Sequence, residues 1–317
     1  MKERWSSKGG RSYPVRHGAP LPFEYFDTPL PAAGPARFAL TLSAIRIEIE
    51  GLDDALAAAL RARYGIYGDA GTPREGAALN VRFAREPREY FIDPPSEAEF
   101  NPIWLAFEGT RVRYLAHRLA GWFDTAAARG EIRLASGMFE PELRAIENYV
   151  RCAVAWCAAE RGGALVHAAS AVRNGRAYLF YGESGAGKST LSSVSTRGQV
   201  VSDDLSLVLP REGGGLDLVG SPFRGTYEEG EPVVGRFPVA AAFRIVKAAQ
   251  AEVRPAPRAI AFGQLVGNLT FVAEAFGPRP DLFGSVEAAF SRVPLLHLHF
   301  RKDDSYWDAI DAWEATT

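Results

Sequence analysis

The chain has little cysteine, little lysine and no surplus of either charge, and each shortage excludes something. Its 317 residues contain two cysteines, Cys152 and Cys157. They lie five apart in a helical pattern, without the partners and spacing of a zinc site or redox pair. Two buried small side chains in a reducing compartment are expected. Lys and Arg total 36 against 38 Asp and Glu, a formal net charge of −2, with the two signs interspersed. That balance gives no general drive towards nucleic acid or an anionic membrane, and the scattered aromatics form no base-stacking platform. No apolar run reaches membrane-spanning length. The first residues, Met1-Lys-Glu-Arg-Trp-Ser6, lack the apolar core of a secretion signal, so a cytoplasmic location is expected.

The scarcity of lysine draws attention to where it is kept. Only five of the 36 basic residues are lysine. One of them, Lys188, closes the run Gly182, Glu183, Ser184, Gly185, Ala186, Gly187, Lys188, Ser189 and Thr190, a complete Walker A phosphate-binding loop. The glycines let backbone N–H groups turn inward and approach phosphate oxygens that a Cβ would hold off. Lys188 reaches β- and γ-phosphates as a flexible point charge, and the Ser189 hydroxyl sits on Mg²⁺. The flanks have the required order: Ala177–Tyr181 favours a strand, and Lys188–Val194 opens a helix whose first N–H groups face the anion. ATP and Mg²⁺ are the expected cofactors.

Residues 1–35 are rich in Pro, Gly, Ser and Arg and read as an extended arm. Residues 36–138 read as a small α+β domain. Phe38–Ile49 is expected to be a strand, Asp53 caps a helix through Leu56, Leu60 and Tyr64, and short strands follow near 103–107, 111–116, 121–124 and 131–135. A helix over 141–160 leads into a catalytic domain over 139–317. There Ala164–Val172 is a strand, Asn174-Gly175 a hairpin turn, and 177–181 the return strand into the phosphate loop. A hairpin feeding the loop points to a mixed sheet, so the expected class is α/β of the α+β kind. Val239–Val246 and Val293–Phe300 read as further strands; His297 and His299 share a face of the latter and are expected to be structural.

Two more clusters carry chemistry. Gln199-Val-Val-Ser-Asp203-Asp204 is a short apolar strand ending in two carboxylates soon after the loop helix, as a Walker B acid requires. Neighbouring strand residues face opposite ways, so the pair divides its roles unless the backbone bends. One aspartate binds metal and the other approaches a substrate hydroxyl as general base. His167 precedes the hairpin, and the turn position sets it opposite residue 182 at the mouth of the loop. Arg224, in a Pro/Gly-bounded loop, is a candidate clamp for a phosphate or acidic group.

Leu165-Val-His-Ala168, the hairpin, Gly182–Ser189 and Val201-Ser-Asp-Asp204 together resemble the HPr kinase/phosphorylase family. Its catalytic domain shares its fold with phosphoenolpyruvate carboxykinase. The resemblance implies that Lys188 contacts phosphates, Ser189 and Asp204 attend Mg²⁺, Asp203 is the acid/base at a seryl hydroxyl, and His167 supports the reacting groups. The family's Glu-x-Arg-Gly-x-Gly motif is not reproduced at Ser221-Pro-Phe-Arg-Gly-Thr226. The chain is more similar to divergent HPr-kinase-related bacterial proteins, some of which accompany peptide-modification gene clusters. An ATP-dependent serine kinase acting on a protein or peptide other than HPr is therefore expected. A small-molecule kinase and a non-catalytic ATP-binding sensor or scaffold are the alternatives. The sequence leaves oligomerisation open.

Overall fold

The structure, a computed structural model, describes residues 15–17, 21–68, 78–93, 102–138, 140–225, 227 and 230–316. Residues 1–14 and 18–20 of the expected arm, and Thr226, lie outside them. The fold is mixed α/β, with parallel and antiparallel neighbours in both sheets. The chain divides into two compact units between Cys157 and Ala158.

The N-terminal unit holds β1 (Val15–His17), β2 (Ala36–Leu42), β3 (Ile45–Leu52), β4 (Ala78–Glu86), β5 (Ile103–Glu108), β6 (Arg111–Leu115), β7 (Leu119–Asp124) and β8 (Arg129–Ala135). They form one eight-stranded sheet in the order β1-β5-β6-β7-β8-β4-β3-β2. The single strand expected over 38–49 is instead the β2–β3 hairpin, turning at Ser43, whose φ is +57°. Its cause is visible in the residues. Phe38, Leu40 and Leu42 are buried, then Ile45, Ile47 and Ile49, so the alternation slips by one position across the turn.

Helix α1 (Asp54–Tyr64) follows its cap, with Asp53 Oδ1 accepting from Leu56 N at 2.8 Å. Helix α2 (Glu142–Ala159) buries Ile146, Tyr149, Val150 and Trp156. Two strand glycines make room for it: a Cβ on Gly121 or on Gly130 would come within 2.8 Å of the Tyr149 ring or hydroxyl. Cys152 and Cys157 are free and buried, and burial pushes the Cys152 thiol well up, away from reactivity.

The C-terminal unit contains β9 (Ala164–Arg173), β10 (Arg176–Tyr181), β11 (Gln199–Ser202), β12 (Leu205–Pro210), β13 (Leu216–Val219), β14 (Arg236–Lys247), β15 (Glu252–Pro255) and β16 (Leu295–Phe300). Its helices are α3 (Lys188–Val194), α4 (Arg258–Val266), α5 (Pro280–Phe290) and α6 (Tyr306–Glu314). The strand path is β10-β9-β12-β13-β14-β16-β15, with β11 also on β9. An added parallel pairing of β10 with β14 closes part of that path into a circuit. Beneath the phosphate loop, Phe180 of β10 stacks on Phe243 of β14 at 5.8 Å. Leu191 of α3 and Tyr306 and Trp307 of α6 complete that core.

Candidate functional site

The glycines of the loop adopt the backbone that the motif needs. Gly182, Gly185 and Gly187 have φ of +155°, +78° and +115°, values that L side chains rarely adopt. A Cβ on Gly185 would meet open space, so the requirement there is conformational and the cradle stays accessible. Glu183, Ser184 and Gly185 are exposed, while Ala186, Gly187, Ser189 and Thr190 are half-buried. Lys188 is 7% exposed and donates from Nζ to the carbonyls of Gly182 (2.7 Å) and Glu183 (3.3 Å), bracing the loop from within. Burial lowers its pKa, and the Asp204 carboxylate works against that.

His167 reaches this point by strand register. Ala168 of β9 pairs with Tyr181 of β10, so one step further His167 lies across from Gly182. On its other side His167 pairs with Leu205 of β12, immediately after the two aspartates. Its Nε2 is 3.4 Å from Asp204 Oδ1. Burial first, then Lys188, lowers its pKa, with Asp204 opposing, so a neutral imidazole is favoured at neutral pH. Its backbone N–H donates to Asn268 O at 2.8 Å, tying β9 to the turn after α4.

The aspartates sit in a bend between β11 and β12, and Ser202 makes that bend. Ser202 Oγ accepts from the N–H of Asp204 (3.0 Å) and of Leu205 (3.1 Å), and donates to Phe223 O (2.8 Å). The bend sends the carboxylates to different neighbours. Asp204 faces His167 and Lys188. Asp203, 3% exposed, accepts from Gly225 N at 2.7 Å and Tyr227 N at 3.2 Å. A Cβ on Gly225 would stand 3.0 Å from Asp204 Cβ and 3.1 Å from Asp203 Oδ2, so only glycine lies this close over both. Ser202 and Gly225 escaped sequence reading; a serine preceding an acidic pair at a strand end is the local signal for the first.

Arg224, the candidate clamp, lies in the loop after β13. Its Nε, Nη1 and Nη2 donate to the carbonyls of Val201 (3.2 Å), Gly230 (2.9 Å) and Glu231 (2.8 Å), bracing the loop that carries Gly225. His297 Nε2 lies 3.2 Å from Gln264 Oε1 of α4. Among the described residues no group of three or more His, Cys, Asp or Glu could hold a metal ion alone. A magnesium that arrives with nucleotide phosphates needs no such cage, because one or two carboxylates, a hydroxyl and phosphate oxygens suffice. The Ser189 hydroxyl and Asp204 carboxylate are donors of that kind, and the glycine cradle and Lys188 could hold the phosphates whose oxygens complete the set.

No protein-family model matches the chain, and no curated protein matches it. Among the described residues no helix is long and apolar enough to cross a membrane.

Proposed function

We propose that the protein is an ATP- and Mg²⁺-dependent kinase that phosphorylates a hydroxyl, a serine on a protein or peptide other than HPr, through a C-terminal unit of phosphoenolpyruvate-carboxykinase-like fold. The observation that carries this reading is the meeting of Lys188, His167 and Asp204 at the mouth of a complete phosphate loop. A loop built only to sense nucleotide would use the Asp204 carboxylate for Mg²⁺ but has no use for a buried histidine set against it.

Bound Mg²⁺-ATP supplies the transferable phosphoryl group and neutralises its charge. The backbone of Gly182–Gly187 and the Lys188 ammonium hold the phosphates. Ser189 and Asp204 would hold the metal. Asp203, fixed by the N–H groups of Gly225 and Tyr227, keeps carboxylate lone pairs for the proton of the acceptor hydroxyl. His167 stays neutral and orients Asp204. Positioning and charge supply most of the catalysis.

The test is incubation of the full chain with labelled ATP and the products of adjacent genes, followed by mass spectrometry of whatever becomes phosphorylated. We expect one labelled acceptor, lost in Asp203→Asn while Mg²⁺-ATP still binds. Tight Mg²⁺-ATP binding by the wild type with no acceptor labelled would overturn the kinase reading in favour of a sensor.

A further inference from the structure

A second set of polar groups stands beside the phosphate loop on the opposite face of its sheet. Tyr181 of β10 pairs with Arg244 of β14, and Arg244 pairs with His297 of β16, so the three side chains share one face. That face is covered by α4: Tyr181 Oη donates to Ala261 O at 3.2 Å, and His297 Nε2 meets Gln264. Phe180 and Phe243, one residue earlier, point the other way into the core with Leu191 of α3. The loop helix and the Arg244 row thus lie on opposite faces of the same strands.

Arg244 is 27% exposed, and its ion pair among the described residues is with Glu183 of the loop, Nη2 to Oε1 at 3.5 Å. Glu183 is 88% exposed. A single long contact to a carboxylate in solvent uses little of a guanidinium fork built for two parallel hydrogen bonds. Arg254, across from His297 on β15, is by contrast paired with Glu252 at 2.7 Å. Burial, then the neighbouring Arg244, lowers the pKa of His297, leaving a neutral ring beside an accessible guanidinium.

We propose that Arg244, flanked by His297, docks a carboxylate of the phosphoryl acceptor, which is therefore an acidic peptide segment or a small hydroxy acid. The proposal rests on the kinase reading above and names its substrate class. Glu183 keeps the place until the acceptor's better-aligned carboxylate displaces it. The acceptor then approaches from the α4 side while nucleotide phosphates are gripped from the α3 side.

The test is calorimetry on the full chain saturated with Mg²⁺ and a non-hydrolysable ATP analogue. The probes are the peptides Glu-Glu-Ser-Glu-Glu and Lys-Lys-Ser-Lys-Lys, and citrate. The acidic peptide or citrate should bind the wild type, and Arg244→Gln should weaken that binding by about tenfold or more. Arg244→Lys, with the charge but not the fork, should fall between them. Glu183→Gln, which removes the competing carboxylate, should tighten binding by about twofold to threefold. Binding of the peptide alone identifies a peptide acceptor, and binding of citrate alone a hydroxy acid. Nucleotide affinity unchanged in the Arg244 variants confirms their fold. Equal binding of acidic and basic peptides, or acidic binding indifferent to Arg244→Gln, overturns the proposal. Failure of the kinase reading shows separately, as intact carboxylate binding by a wild type that transfers nothing.

Discussion

Two sets of carboxylates, one in each unit, are held differently. In the N-terminal unit Glu131 of β8 and Glu142 of α2 meet arginine. Glu131 Oε1 lies 2.7 Å from Arg133 Nε, and Glu142 bridges Arg85 and Arg118 at 3.0 and 2.9 Å. Around the phosphate loop, Asp203 meets backbone N–H groups, while Asp204 meets an imidazole and lies near an ammonium. A guanidinium stays charged at every working pH and closes on a carboxylate like a bracket, which suits a framework. Backbone donors and titratable neighbours hold a carboxylate while leaving its chemistry open. One arrangement fixes charge and the other keeps it usable.

The largest test of that contrast is Lys188→Met. We expect Mg²⁺-ATP affinity to fall by about 10²-fold or more, read by calorimetry, with little change in thermal midpoint, because an apolar chain of similar size replaces a buried ammonium. Asp203→Asn should lower transfer by about 10²- to 10⁴-fold in single-turnover assays with nucleotide affinity kept. Gly225→Ala should cost about 10²-fold by shifting both carboxylates. A Gly225→Ala protein with normal turnover would show that their positions are not critical.

The N-terminal pair should behave in the opposite sense. Arg133→Met strands Glu131, and we expect a loss of about 3–5 kcal/mol in urea unfolding without an effect on transfer. The loss is large because Arg133 also donates to the carbonyls of Tyr25, Phe26 and Thr28. Replacing both partners, Glu131→Leu with Arg133→Met, should recover part of it. Loss of phosphate-site function in either variant would erase the distinction between the two regions.

The smallest effect is in pH. Burial raises Glu140 from 4.5 to about 7, so its folded form favours the proton and its stabilising preference is lost as pH rises between those values. Its Oε2 has no hydrogen-bond partner among the described residues. Glu140→Gln should remove that slope from the N-terminal unit. His167 acts in the reverse direction. Its folded pKa lies below the ordinary 6.5, so the unfolded chain takes up the proton first and stability falls as pH drops below 6.5. His167→Gln should flatten that acid-side slope, with unfolding followed by amide exchange in each unit. His117 in the N-terminal unit is also lowered by burial and slopes the same way, so His117→Gln should flatten the remaining acid-side slope.

Much of the C-terminal framework was legible because its signals are local. Asn174-Gly175 gives the hairpin, and with it the register that brings His167 opposite Gly182. Two adjacent aspartates after a loop helix mark a strand end. The rest depends on partners distant in sequence. Nothing near Arg224 says that its guanidinium will take three backbone carbonyls, since Gly230 and Glu231 come to it only when the loop closes. The β2–β3 hairpin hid because continuous apolar alternation looks like one strand unless its phase is followed through Ser43. Strand β4, parallel to both β3 and β8, was not anticipated, since a parallel pair leaves no turn to read.

The closed circuit of strands orders the assembly of this unit in time. The β9–β10 hairpin needs only its own turn, but β10 meets β14 through pairs such as Ala177 with Val239, across all the intervening chain. Contacts of that span form slowly. We expect the phosphate loop, carried on the end of β10, to be rigid only after that closure. Refolding in which nucleotide capture precedes protection of the β10–β14 amides would break this order. If the proposed nucleotide binding holds, capture of nucleotide becomes a certificate of completed folding, which a half-made chain would fail.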